Sequence, residues 1–177
     1  MSVVRGLDPI AIYEYLLKAR AKLLDWVRPL SLEQYTTEFP FGLKTLRKTM
    51  VEIAMGEYAY SRRLRGEQVP PPEDRPLQRF YETDFASLER AWQDQVEATR
   101  RALSEITDWS RPVAYVARPA NQPAVRISTT AGGIATQLAL HEVHHRAQAM
   151  AMLRQFGIAA QNLDYSIFMF ERTTITE

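Results

Sequence analysis

The sequence predicts an all-α protein: a four-helix bundle with a small hairpin or extended loop before the last long helix and a short C-terminal helix. Three observations carry this. Four long segments place apolar residues at helical spacing. The links between them are short to medium in length, which suits antiparallel neighbours. At 177 residues the chain has the length of one domain with a proper core, so residues 1–177 are expected to form a single unit.

The first helix is expected from about Asp8 to Arg28. Asp8 suits the N-cap and Pro9 suits the first helical position, where no N–H is missed. Ile12, Tyr13, Leu16, Leu17, Leu23, Leu24 and Val27 then recur on one side, and Pro29 ends the segment. SLEQYTTEFPFG reads as a connection with one short helical turn after Ser31. The second helix is expected from about Leu43 to Arg65, with Leu46, Met50, Ile53, Tyr60 and Leu64 on its apolar stripe and Glu57 interrupting it.

GEQVPPPEDRP cannot be helical and reads as a surface loop. A third helix is expected from about Leu77 to Ile106, with Tyr81, Phe85, Leu88, Trp92, Val96, Thr99, Leu103 and Ile106 on one face and charged residues on the other. VAYVARPANQPAVRIST has β-leaning residues around a turn at Pro119-Ala120-Asn121, which suggests a hairpin or extended loop. The fourth helix is expected from near Thr130 to a C-cap at Gly157. It is apolar on nearly every side and is therefore expected to be the most buried. LDYSIFMFER closes the chain as a short helix.

Composition narrows the function. A formal net charge of +1, with no block of Lys or Arg, provides no basic field for nucleic acid. Cysteine is absent, which excludes disulfides, thiolate ligands and a cysteine nucleophile. Asp8, Pro9 and Glu14 interrupt any signal-like apolar run near the start. No stretch reaches the roughly 18 apolar residues of a membrane span. The expectation is a soluble, unprocessed, cytoplasmic protein.

All three histidines, His141, His144 and His145, fall within HEVHHRAQ. On a helix, His141 and His145 share one face, on the stripe Ile134, Leu138, His141, His145, Gln148, Met152. Two imidazoles set side by side into an apolar stripe need partners, and a divalent metal would satisfy both. The alternative is ordinary packing, with one ring exposed and the other on a carboxylate. HEVHH also fits H-E-x-x-H, in which two histidines bind zinc and the glutamate activates water. That peptidase reading is weak, because no second downstream motif accompanies it. His144 points some 100° from His145 and is expected to contact a neighbour rather than share a metal.

HEVHHRAQAMAMLRQFG resembles the last long helix of the DinB/YfiT-like superfamily, roughly N-H-x-x-H-H-R-G-Q followed by L-R-x-x-G. His141, His144, His145, Arg146, Gln148, Leu153, Arg154 and Gly157 match, whereas Leu140 and Ala147 replace the Asn and Gly. LKTLRKTMVEIAMGEYAYSRRLRGE is similar to the family's second helix, in which a histidine is followed five residues later by a glutamate. The resemblance implies a four-helix bundle with a three-histidine metal site, two of whose ligands would be His141 and His145. The third position is occupied by Glu52, and Glu57 matches the following glutamate. It implies a 2-His-1-carboxylate set for Zn, Ni, Fe or Mn, or else a degenerate site. Glu57, His144, Arg146 and Gln148 would be supporting or substrate-contacting residues, with Arg146 and Gln148 tying helices together as the other reading, and Glu57 the alternative ligand. The resemblance further implies a thiol-dependent S-transferase or a metal-dependent hydrolase, a small-molecule substrate, a low-molecular-weight thiol as cosubstrate, and a homodimer. The competing expectation is a non-catalytic, stress-related bundle.

Overall fold

The computed structural model describes residues 7–118, 123–171 and 173. Six α-helices run in chain order: α1 (Pro9–Val27), α2 (Leu32–Thr36), α3 (Leu46–Leu64), α4 (Phe85–Ser104), α5 (Ala131–Gln155) and α6 (Tyr165–Met169). Strands β1 (Pro112–Ala117) and β2 (Val125–Thr130) pair antiparallel, Pro112 opposite Thr130 and Ala117 opposite Val125. The turn expected at Pro119-Ala120-Asn121 lies outside the described residues. No helix among those described is long and apolar enough to cross a membrane.

Local chemistry accounts for the helix limits. The Asp8 carboxylate accepts from the Ile10 N–H, and Pro9 opens α1. Ser31 and Gln34 form a reciprocal capping box that starts the short α2. Thr45 caps α3 through the Lys48 N–H, so this helix begins three residues later than its apolar pattern suggested. Just before it, Lys44 adopts a left-handed conformation, φ 70°. Thr130 is at once the last residue of β2 and the N-cap of α5, accepting from the Gly133 N–H. The hairpin thus feeds directly into the last long helix.

Two expectations need correction. The third long helix does not begin at Leu77: a 3-10 turn spans Gln78–Glu82, and α4 starts only at Phe85. The cause is Asp84, whose extended backbone and side-chain bond to the Ser87 N–H place an N-cap there. The most buried long helix is α3, not α5. α3 lies between α4 and α5 and touches the 3-10 turn and β1 as well, and Lys48 is its one exposed residue. α5 turns Leu140 and Val143 outward instead.

The core joins Tyr13, Leu16, Leu23 and Val27 of α1 to Leu46, Met50, Ile53 and Leu64 of α3, Leu88, Trp92 and Leu103 of α4, and Ile134, Leu138, Met152 and Leu153 of α5. Charged side chains are set into the same stripes. Arg20, Glu57, Glu142 and Arg146 are each no more than 4 % exposed. Arg20 grips Glu142 with two nitrogens, Nε at 3.1 Å and Nη2 at 2.5 Å. Its Nη1 lies 2.8 Å from Glu57 Oε2 at an angle too poor for a hydrogen bond, so that contact is ionic. Glu57 also accepts from the Tyr13 hydroxyl and from Trp92 Nε1 at 2.7 Å. Arg146 donates to the Tyr15 hydroxyl at 2.5 Å, which donates in turn to the Leu163 carbonyl. Burial works against the charge on Arg20, but Glu142 and then Glu57 outweigh it and hold the guanidinium above its ordinary value.

Candidate metal centre

On the other face of α3, Glu52 looks across to α5. One ligand atom from each of Glu52, His141 and His145 lies within 4.8 Å of the other two. His141 Nε2 lies 3.5 Å from Glu52 Oε1. Ligand atoms around an ion bonded at about 2.0–2.2 Å stand roughly 3–3.6 Å apart, so small side-chain rotations would close the set. Two imidazole nitrogens and a carboxylate oxygen suit Zn, Fe, Mn or Ni. Three protein ligands leave positions for water or substrate, and the Glu52 side chain is 37 % exposed, which gives solvent access.

The backbone is shaped to admit one of these rings. His141 rests against α3 at Gly56, where an added Cβ would lie 2.6 Å from His141 Nδ1. Any other residue would drive the imidazole out of its place. Tyr60, one turn further along α3, meets the His141 ring edge-on at 5.6 Å between centroids.

Neighbouring polar groups orient the other two members. Tyr81, on the 3-10 turn, donates to Glu52 Oε2 at 3.2 Å. Gln148 Oε1 lies 3.1 Å from His145 Nδ1, and Gln148 Nε2 lies 2.9 Å from His144 Nε2. With Nδ1 donating to Gln148, the Nε2 lone pair of His145 is free to bind. Gly42, at φ 56°, lets the preceding loop close over Gln148, where a Cβ would stand 3.1 Å from the amide. Burial would raise the Glu52 carboxyl, but the hydrogen bond and charge of His141 outweigh it, helped by Tyr81, and hold it below its ordinary value. Burial, with the His141 charge beside it, pushes His145 down, against a raising bond to Gln148.

These shifts have a readable sign. In the metal-free protein the His145 ring is expected to titrate below the ordinary value of about 6.5. The fold favours its neutral form, so its contribution to stability is complete above the ordinary value and is lost as pH falls through the lowered one. Glu52 behaves alike in the carboxylate range. Ring-proton NMR against pH would check His145; a midpoint at or above the ordinary value would contradict the packing described.

The structure therefore brings together Glu52, His141 and His145, with Gln148 in support and His144 on the exposed side of Gln148. Glu57 and Arg146 do not join them. Glu57, expected as a supporting group or alternative ligand, faces α1 and α4 and is committed to Arg20, Tyr13 and Trp92. Arg146 ties α5 to Tyr15 of α1, the helix-tying role of the two expected for it rather than the substrate-contacting one. Glu142 is likewise held by Arg20, so the H-E-x-x-H reading loses its water-activating base. Tyr81 was read only as a helix-face residue. The signal that it lies elsewhere was Asp84, an N-cap residue two positions before Ala86 and three before Ser87.

The model of the DinB family matches residues 1–176. The chain belongs to the DinB family. No curated protein matches it. Within this DinB chain, the Glu/His/His cluster is the group among the described residues that could hold a metal ion.

Proposed function

We propose that this DinB protein is a divalent-metal-dependent enzyme acting on a small molecule, either as a thiol-dependent S-transferase or as a hydrolase. The observation that supports it most is the Glu52, His141 and His145 cluster, which spans facing helices and opens to solvent on one side. A bound divalent ion would supply a lowered pKa to a thiol or a water. The protein's own part is to hold the donor atoms: Tyr81 fixes Glu52, Gln148 fixes His145, and Gly56 seats His141. The chain has no cysteine, so in the transferase the sulfur nucleophile comes from a low-molecular-weight thiol. A cytoplasmic homodimer completes this reading, with the outward Leu140 and Val143 of α5 as apolar contacts.

A second reading has one observation behind it. Glu52 is already partnered by Tyr81 and His141, as it would be in a non-catalytic bundle whose metal site has been replaced by a polar contact. Metal content separates the two. Purified without a metal-affinity tag and measured by elemental mass spectrometry, the wild type is expected to carry near-stoichiometric metal, and His141→Ala and Glu52→Ala to lose it. A wild type that stays metal-free after reconstitution would overturn the enzyme reading. Loss in His141→Ala alone would remove Glu52 from the ligand set.

A further inference from the structure

Where the end of α3 meets β1, the two leave a cavity of about 480 Å³, within the usual range for a small-molecule site. Glu52, His141 and His145 are not in its wall, so it is separate from the candidate metal centre.

The backbone fixes one side of it. At the end of α3 the Gly66 N–H bonds the Arg63 carbonyl at 3.1 Å and the Glu67 N–H bonds the Arg62 carbonyl at 2.9 Å. This is the Schellman pairing, with Gly66 left-handed at φ 74°. Gln68 and Val69 follow the turn. They line the cavity together with Arg63, with Tyr115 and Val116 of β1, and with Arg118 just past that strand.

Arg63 is the member that the fold does not account for. Its guanidinium stacks over Tyr115 at 4.0 Å and over Tyr60 at 5.3 Å. Among the described residues it has neither a carboxylate within ion-pair distance nor a hydrogen bond. Its Nε is buried without a partner, whereas its terminal nitrogens stay accessible. Stacking serves the face of a planar cation; the N–H donors at its edge still call for an acceptor. Partial loss of water also strengthens the pull of such a charge on an anion.

The rest of the wall points the same way. Arg118 is exposed and has no ion pair among the described residues. Glu67 lines the cavity too, but Arg62 at 3.1 Å and Arg65 at 2.7 Å hold its carboxylate. The charge left free there is positive, and Val69 and Val116 add apolar surface beside it.

We propose that this cavity is a ligand site apart from the metal centre, for a small carboxylate with an apolar body. Arg63 pairs with the carboxylate, whose two oxygens match the guanidinium fork. Arg118 adds attraction from the rim, and the body lies against Val69 and Val116. The site stands independently of the enzyme reading above.

The test is calorimetric titration of the full chain, stripped of metal, with phenylpropanoate, with the uncharged phenylpropanol and with inorganic phosphate. Saturable binding of phenylpropanoate is expected, tighter than that of either control. It should weaken about tenfold in Arg63→Gln, the scale of a charge-assisted hydrogen bond, and about threefold in Arg118→Gln, the scale of an exposed ion pair. Val116→Glu, which sets a carboxylate beside the site, should abolish it, and His141→Ala should leave it unchanged. No saturable binding of phenylpropanoate, or binding unchanged in Arg63→Gln, would overturn the site. Equal binding of the alcohol would remove the charge from it, and tighter binding of phosphate would remove the apolar body; either result overturns the proposal. Loss in His141→Ala would move the carboxylate to the metal centre and overturn it as well. If Arg63→Gln fails to fold, the exposed positions decide: binding unchanged in both Arg118→Gln and Val116→Glu would be the contrary result.

Discussion

Arg20→Ala is expected to destabilise the fold by about 3–5 kcal/mol, the usual cost of leaving buried charge without its partner. The substitution would strand two carboxylates, Glu57 and Glu142, in a dry interior. It would also empty the space over the Trp92 ring, where the guanidinium stacks at 4.5 Å. The pair cannot be removed cleanly by deleting a glutamate as well. Glu57→Leu would orphan Tyr13 and Trp92 Nε1, and Glu142→Leu would take from Arg146 the one carboxylate near it among the described residues, at 4.0 Å. Urea unfolding of wild type and variant would check the figure. A loss below about 1 kcal/mol, the scale of an exposed ion pair, would show that water reaches the cluster. The network also fixes the alignment of α1 with α3 and α5: a slip of one helical turn, about 5.4 Å, would part Arg20 from both carboxylates.

Gly56→Ala is expected to weaken metal binding about 10- to 100-fold, the range seen when the support of a ligand is disturbed, although it alters no ligand. The new methyl would occupy the position of the His141 ring. The helix itself should gain, since alanine is favoured over glycine by about 1 kcal/mol in a helix interior. A variant that melts no lower than wild type but has lost metal affinity is therefore the expected result, read by competitive metal titration beside a thermal melt. Unchanged affinity would show that His141 does not need its seat on α3.

Much of this was legible in the chain. The HEVHH spacing placed two candidate ligands on one face, and Glu52 as the third candidate followed from the resemblance of the second helix. The hairpin was signalled by its β-leaning residues, and the short helix after Ser31 by that residue as its start. What escaped was burial of charge. Arg20 lies on the stripe Tyr13, Leu16, Leu23, Val27 at the right spacing, and Glu142 and Arg146 stand four apart beside Leu138 and Ala149. A charged residue is ordinarily expected at the surface when its helix is considered alone. Only together do two arginines and two glutamates, all on inward faces, balance one another. The apparent all-round apolarity of α5 misled for a related reason: Leu140 and Val143 are apolar but face outward. The break before α4 was missed because apolar periodicity continues through Tyr81 and Phe85 while the backbone does not.

The loop between α3 and the 3-10 turn has Pro70, Pro71, Pro72 and Pro76 within seven residues. It also leads directly to Tyr81, which donates to Glu52. Each proline in a compatible conformation narrows the freedom of the unfolded chain, by about 0.4–1 kcal/mol in free energy. Much of the entropy needed to hold this long connection still is therefore given up before folding begins. A segment that looks like simple spacing thereby helps keep Tyr81 in position beside Glu52.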